Sequence, residues 1–218
     1  PTSDPVTGTT SVLVHGARFS SQHAWLCRFG NSTVSASFRN DAQLRCASPA
    51  HAAVGELAVE ISVDSRNFTA SGVPYSYYAD PEVGAIAPTG GPALGGATVL
   101  SVSGVGFSGG SDYRCRFGEH AVRAVHSGGG NLTCTSPRRV AAEVVSVEVT
   151  LNGQQYSRGG APFAYRAPVV VSSLSPSSGL SAGSTVVRVS GSHFDDSVET
   201  LCRFGGHSTR ATWVSSEE

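Results

Sequence analysis

The chain has 218 residues, of which only 14% are charged, and its formal net charge is -1. Every basic residue is an arginine, and none belongs to a basic block of the kind that neutralises phosphates, so the composition argues against a nucleic-acid-binding surface. No apolar run approaches the roughly 18 residues of a membrane-spanning helix, which predicts no direct membrane insertion within this stretch of chain.

The tetrapeptide Cys-Arg-Phe-Gly occurs three times, at residues 27–30, 115–118 and 202–205. Its spacing of about 87 residues is that of a domain-sized repeat. The repeat predicts three domains, namely residues 1–79 with a truncated first strand, residues 80–166 as a complete unit, and residues 167–218 without a C-terminal half. We therefore expect this chain to be a window from a longer polypeptide.

Each unit shows the alternation of apolar and polar residues that is typical of half-buried strands. In the second unit, Leu100 and Val102 alternate with serines. Further along, Asn152 and Gly153 form a dipeptide that indicates a hairpin turn. No segment shows the apolar period of a helix. Seven short strands at intervals of about 8 to 12 residues predict an all-β fold of tandem immunoglobulin-like sandwiches.

The motifs follow one order, which is complete in the second unit and stops halfway in the third: Pro-x-x-Gly, a Gly-rich turn, Val-x-Val-x-Gly-x-x-Phe, Cys-x-Phe-Gly, Leu-x-Cys-x-Ser-Pro, a strand, Asn-Gly and Phe-x-Tyr. This order resembles the IPT/TIG repeat, an immunoglobulin-like module shared by plexins, fibrocystin-type ectodomains and some transcription factors. The resemblance covers the whole chain. The first copy departs from it at Asp64 and Ser65, which replace the Asn-Gly dipeptide, and in its missing opening strand.

The cysteines of the first two units are spaced identically, with the second nineteen residues after the first. A zinc site would need two close cysteine pairs, so this spacing favours disulfides over metal ligation. We predict two bonds, Cys27–Cys46 and Cys115–Cys134, each stabilising its domain by about 3 kcal/mol. The cysteine that would pair with Cys202 at the same spacing lies beyond the last residue. We therefore interpret this thiol as unpaired by truncation rather than reactive.

Oxidised cysteines indicate the secretory route and an extracellular or cell-surface location. Three N-glycosylation sequons support the same location, at Asn31, Asn67 and Asn131. About one sequon is expected by chance in a chain of this composition. Strand alternation places Asn131 on the outer face of its sheet, because Leu132 and Cys134 are expected to point inward.

No catalytic, cofactor-binding or metal-binding constellation repeats or clusters in the sequence. The histidines lie mostly beside turns and are interpreted as surface residues. Two acidic groups, Asp195 with Asp196 and Asp80 with Glu82, offer oxygen ligands for calcium between repeats. A complete calcium site needs six or more oxygens, so the surface interpretation is preferred for both groups. We predict no metal ion and no cofactor.

One arginine recurs immediately after each first cysteine, at positions 28, 116 and 203. Strand alternation points it away from the core and predicts a cross-strand pair. The positions of Trp25 and Trp213 are not aromatic in every repeat, so the core requires neither residue. We interpret both as exposed contact residues.

Repeated units that carry no catalytic constellation predict a non-enzymatic protein. Its expected partners are other copies of itself or surface and matrix proteins. The first hypothesis is a structural or adhesive rod of a cell surface, matrix or filamentous appendage, because the apolar stretches at 77–88 and 165–176 are too short for floppy tethers. The alternatives are a ligand-binding ectodomain of a plexin-like or fibrocystin-like receptor, and an accessory module of a secreted carbohydrate-active enzyme. Predicted disulfides and sequons oppose the transcription-factor branch.

Overall fold

A computed structural model describes residues 1–196 and 199–218, and every regular element within those ranges is a β-strand. The predicted all-β class of tandem immunoglobulin-like sandwiches is confirmed. The strands fall into three successive groups along the chain, which we call the first, second and third repeats.

The first repeat has seven strands: β1 Ser3–Pro5, β2 Ser11–His15, β3 Leu26–Phe29, β4 Ser32–Asn40, β5 Gln43–Ala47, β6 Gly55–Ser62 and β7 Val73–Tyr78. Hydrogen bonding orders them β1-β7-β6-β3-β4-β5-β2. The long strand β4 belongs to both layers of the sandwich, because its first half pairs with β3 and its second half with β5.

The second repeat has the same plan with eight strands: β8 Glu82–Ala87, β9 Gly90–Pro92, β10 Val99–Val105, β11 Arg114–Phe117, β12 His120–Gly128, β13 Asn131–Thr135, β14 Glu143–Thr150 and β15 Ala161–Arg166. Their order is β8-β10-β13-β12-β11-β14-β15-β9. Strand β12 joins the two layers as β4 does. Strand β8 pairs with β10 and has no counterpart among the described residues of the first repeat.

The third repeat contributes two strand pairs within the described residues: β16 Val170–Ser175 with β17 Arg188–Ser192, and β18 Leu201–Phe204 with β19 His207–Arg210. Its apolar side chains are less covered than those of the other repeats. Phe204 is 50% exposed, whereas its counterparts Phe29 and Phe117 are fully buried, and Trp213 is 43% exposed.

The core of each complete sandwich follows the predicted alternation. Leu100 and Val102 of β10 are fully buried, and so is Phe117 of β11. The ring of Phe117 meets that of Phe163 edge to face, with centroids 5.5 Å apart. Burial of each such side chain contributes about 2 kcal/mol to folding.

Two disulfides connect the layers. Cys27 of β3 is bonded to Cys46 of β5, and Cys115 of β11 is bonded to Cys134 of β13, with a Cα–Cα distance of 6.4 Å in each pair. All four side chains are buried. Cys202 occupies the corresponding place on β18 and is a free, half-buried thiol.

The apolar residues that we assigned to the first linker belong instead to the second sandwich. Ile86 is 7% exposed within that core and Val83 packs against it, because β8 pairs with β10. The connection itself is only the short segment between Tyr78 and Glu82. It is therefore shorter than the linker predicted from the sequence.

Replacing Phe117 with aspartate is expected to abolish the cooperative unfolding transition of the second repeat, since a carboxylate would be buried without a partner. Val99→Asp provides the control, because Val99 is on β10 of the same repeat but is 61% exposed. Differential scanning calorimetry measures both variants. An unchanged profile for Phe117→Asp would contradict the assignment of this core.

Candidate functional site at the junction of the first two repeats

Buried polar side chains are concentrated where the first repeat meets the second. They are Ser3, Asp4, Thr10 and Ser48 from the first repeat and Asn152 from the second. In residues 1–196 and 199–218 no three acidic, histidine or cysteine side chains are placed to hold a metal ion. The same ranges contain no helix long and apolar enough to cross a membrane.

One side of this junction is a turn that all three repeats share. It places a glycine and the next residue in the left-handed region of backbone space and is followed by a threonine. In the first repeat Gly8 has φ +77° and Thr9 has φ +72°, and Thr10 follows. We call this turn the receiving turn, and its three copies are residues 8–10, 96–98 and 183–185.

The other side is the hairpin loop after β14, which we call the docking turn, residues 150–157. The side chain of Asn152 folds it, because Oδ1 accepts hydrogen bonds from the backbone N–H groups of Gln154 at 3.0 Å and Gln155 at 3.2 Å. Gly153 supplies the left-handed residue, with φ +74°. The Asn-Gly dipeptide therefore forms the predicted turn.

An arginine on the adjacent strand supports the docking turn from its side. The Arg116 guanidinium is paired with Glu148, with Nε 2.9 Å from Oε2, and lies 4.0 Å from the ring centroid of Tyr156. The first repeat contains the same three-residue arrangement in Arg28, Glu60 and Phe68, again with 4.0 Å to the ring. The predicted cross-strand pairing of this arginine is confirmed in both repeats.

Amide groups of the docking turn bind the first repeat directly. Asn152 Nδ2 donates to Thr10 Oγ1 at 2.9 Å and to the carbonyl oxygen of Ser3 at 3.3 Å. Gln154 pairs with the backbone of Ser11, accepting from its N–H at 2.8 Å and donating to its carbonyl at 3.0 Å. A two-point contact of this kind fixes orientation as well as distance.

An apolar anchor accompanies these hydrogen bonds. Tyr78, the last residue of β7, is only 3% exposed and packs into the hydrophobic core of the second repeat together with Phe107 and Leu151. Beside it, Ser3 Oγ donates to Ser111 Oγ at 2.8 Å. The first repeat therefore contributes one side chain to the core of its neighbour, which couples their folding.

A single carboxylate lies at the centre of the junction's polar groups. Asp4 is fully buried and accepts hydrogen bonds from the hydroxyls of Thr10 and Ser48. Glycines occupy its place in the other repeats, namely Gly91 and Gly179. An aspartate at this position must keep a carboxyl group away from water. Burial raises the pKa of Asp4, and the hydrogen bonds from Ser48 and Thr10 offset that rise only in part.

The predicted glycosylation sites lie away from this junction. Asn31 is exposed in the turn between β3 and β4. Asn67 is also exposed, although its Nδ2 donates to Asp64 Oδ2 at 2.6 Å. Asn131 begins β13 and is half-buried, with its amide 3.3 Å from the carbonyl oxygen of Gly129.

The other candidates have local partners. Trp25 is half-buried, donates its indole N–H to the Ser20 carbonyl at 2.9 Å and packs edge to face on Phe19. Asp80 accepts a hydrogen bond from Thr7 at 3.1 Å. Trp25 therefore packs within its own repeat and is less exposed than the sequence predicted.

Asp195 makes a contact between the second and third repeats. Its Oδ2 lies 2.6 Å from Nε of Arg166, which is the last residue of β15. Arg166 occupies the position that Tyr78 has in the first repeat, so an ion pair replaces an apolar anchor at this second junction.

We expect the contribution of Asp4 to the stability of the first repeat to increase as the pH falls from neutral towards 3.8, the ordinary pKa of an aspartate. A carboxyl whose pKa is raised by folding favours the folded state when protonated, and this stabilisation is lost as the pH rises through the folded-state pKa. Asp4→Asn removes that dependence. Unfolding followed by Trp25 fluorescence in a Trp213→Phe background measures it, with Asp41→Asn, an exposed carboxylate, as the control. Parallel pH profiles for Asp4→Asn and the unsubstituted chain would contradict the assignment.

Comparison with known proteins agrees with this architecture. The IPT/TIG domain profile matches residues 1–77, 81–165 and 168–218. No curated protein sequence gives a significant match. Among solved structures, the full extracellular region of plexin A4 (domains 1 to 10) aligns with 100% of this chain at a TM-score of 0.58 and 16% identity, and the chain spans 19% of that protein.

A second plexin A4 extracellular structure covers 76% of this chain and 17% of its own, with 18% identity and a TM-score of 0.49. At these identities the likeness to plexin A4 concerns the fold alone. The family profile, by contrast, accounts for nearly the whole sequence in three successive matches. The chain therefore belongs to the IPT/TIG domain family.

Proposed function

We propose that this chain is a non-enzymatic segment of an extracellular glycoprotein, in which tandem IPT/TIG repeats form a stiff structural or adhesive rod. The rod belongs to a cell surface, an extracellular matrix or a filamentous appendage. The observation that carries the proposal is the buried junction, where Asn152 and Gln154 of one repeat bind Thr10, Ser3 and Ser11 of the other.

Two features of the junction favour stiffness. The connecting segment between Tyr78 and Glu82 is too short to act as a flexible tether. The contact also combines an apolar anchor with paired amide hydrogen bonds, so bending would expose Tyr78 and leave buried polar groups unpaired. Domains held in this way transmit force and orientation, which is what a structural or adhesive rod requires.

The extracellular location rests on covalent chemistry. Each complete repeat contains one buried disulfide, and such bonds persist in oxidising compartments. Sequons at the exposed Asn31 and Asn67 are accessible to N-glycans, and Asn131 is the least accessible of the three. A sugar coat also fits the low content of charged residues, because few ionic groups are available to keep the surface hydrated.

Asn152→Asp is expected to loosen the rod, because it brings a second carboxylate towards buried Asp4 and removes the amide donor to Thr10. Small-angle X-ray scattering should show one narrow set of interdomain distances for the unsubstituted monomer and a broadened set for the variant. Asn40→Asp makes the same chemical change at an exposed position and serves as the control. Equal distance distributions for all three proteins would refute the stiff-junction proposal.

Protein secreted from a eukaryotic host is expected to carry both disulfides and N-glycans at Asn31 and Asn67, with lower occupancy at half-buried Asn131. Peptide mapping without reduction identifies the linked cysteines, and enzymatic deglycosylation in heavy water identifies the occupied asparagines. Free thiols at all four disulfide positions together with unmodified sequons would remove the support for an extracellular glycoprotein.

A further inference from the structure

The hydroxyl group of Thr10 lies between the first two repeats and is within reach of more acceptors than it has protons. Its Oγ1 is hydrogen-bonded to Asp4 Oδ1 of its own repeat and lies 2.8 Å from Gln155 Oε1 of the second repeat. Asn152 Nδ2 donates to the same oxygen at 2.9 Å. A threonine hydroxyl has one proton, so Thr10 can donate to Asp4 or to Gln155 but not to both.

The docking turn determines which atoms of its two amides face Thr10. The backbone N–H groups of Gln154 and Gln155 donate to Asn152 Oδ1, so Nδ2 is the atom that faces the first repeat. This Nδ2 also donates to Gln155 Oε1 at 2.7 Å, which orients the oxygen of the Gln155 amide, rather than its nitrogen, towards Thr10. Gln155 therefore offers Thr10 an acceptor.

Ser48 fixes the other side of the Asp4 carboxyl group. Its Oγ accepts from the backbone N–H of Thr10 at 2.9 Å and donates its own proton to Asp4 Oδ2. Protonation of Oδ1 therefore sets the direction of the Thr10 bond. An ionised Oδ1 takes the Thr10 proton, so that Thr10 Oγ1 and Gln155 Oε1 face each other with no proton between them. A protonated Oδ1 donates to Thr10, which frees the hydroxyl proton for Gln155.

The surroundings of Asp4 favour its protonated form. Burial raises the pKa of Asp4, and the like charge of Asp80 raises it further. Three tyrosines of β7 lie close enough to feel the charge of Asp4, namely Tyr75, Tyr77 and Tyr78. They stay neutral, because burial raises the pKa of each phenol above its ordinary value.

Two further titratable groups lie at the edge of this cluster. His51 stacks on the ring of Tyr77, with the centroids 4.8 Å apart, and is unchanged in the variants that test Asp4. Asp112 of the second repeat forms an ion pair with Arg114, whose hydrogen bond lowers the pKa of Asp112. Asp112 therefore remains ionised over the range in which Asp4 takes up its proton.

We propose that Asp4 makes the junction sensitive to protons, since Thr10 donates to Gln155 across the junction only while Asp4 is protonated. This inference rests on the proposed stiff rod and adds control by pH to it. The paired hydrogen bonds of Gln154 with Ser11 do not involve Asp4, so ionisation loosens the junction without separating the repeats. Acid therefore stiffens the rod, and a rise of pH through the folded-state pKa of Asp4 loosens it.

Two NMR observations on the intact chain test this control. The carbon chemical shifts of the Asp4 carboxyl group and the Gln155 side-chain carbonyl should change with one shared midpoint above 3.8. The backbone N–H of Ser11 donates to Gln154 across the junction, so its protection from hydrogen exchange, corrected for the intrinsic rate at each pH, reports opening. Protection is expected to fall about fivefold as the pH rises through that midpoint, because one hydrogen bond is lost.

Two substitutions separate the titrating group from the contact that it controls. Asp4→Asn places an amide donor where the protonated carboxyl group stands, so Ser11 protection should keep its acidic value at every pH. Gln155→Met removes the acceptor and keeps the length of the side chain, so Asp4 should still titrate while Ser11 protection no longer follows it. Asp41→Asn, at an exposed carboxylate, is the matched control and should keep the profile of the unsubstituted chain.

Ser11 protection that does not change while Asp4 titrates overturns this inference and leaves the stiff junction intact. A pH dependence that survives Asp4→Asn, or an Asp4 midpoint at or below 3.8, has the same consequence. A Ser11 N–H that is unprotected at every pH overturns the inference together with the stiff-rod proposal, because the junction would then be open.

Discussion

The buried amide of Asn152 is the contact on which the arrangement of the first two repeats depends. It folds its own loop through Oδ1 and binds the neighbouring repeat through Nδ2, so one side chain couples local structure to interdomain geometry. The desolvated amide is stable only while both sets of partners are present. Tyr78 adds the apolar component, since it completes the core of a repeat to which it does not belong.

The repeats of this chain share one strand scaffold and differ at the residues near the junctions between repeats. The arginine that follows the first cysteine pairs with a glutamate and stacks on an aromatic ring in both complete repeats, and in the second repeat it supports the docking turn. Around this constant support, single residues change the chemistry of the contact. Asp4, which binds Thr10 of the receiving turn, stands where the other repeats have glycine, and Asp64 stands at the first-repeat position that corresponds to Asn152. The two junctions therefore differ in charge: the first has the buried carboxylate of Asp4, and the second has the ion pair of Arg166 with Asp195.

The sequence predicted the scaffold well because its signals are local and repeated. Strand alternation identified Leu100 and Val102 as core residues, and the three-fold recurrence of Cys-Arg-Phe-Gly indicated the number of units. The junction was not predicted, since its residues are far apart in the chain and only folding brings Thr10 to Asn152. One signal was available: Asp4 departs from the glycine of the other repeats, and a charged residue at a glycine position marks a changed environment.

The central claim is that the first two repeats form one stiff unit through this junction. Residual dipolar couplings of backbone amides test it most directly, because they report the orientation of each repeat relative to a common alignment frame. The account predicts that both repeats share one alignment tensor, with equal magnitude and direction. Tensors of different magnitude for the two repeats would show that they reorient independently and would contradict the claim.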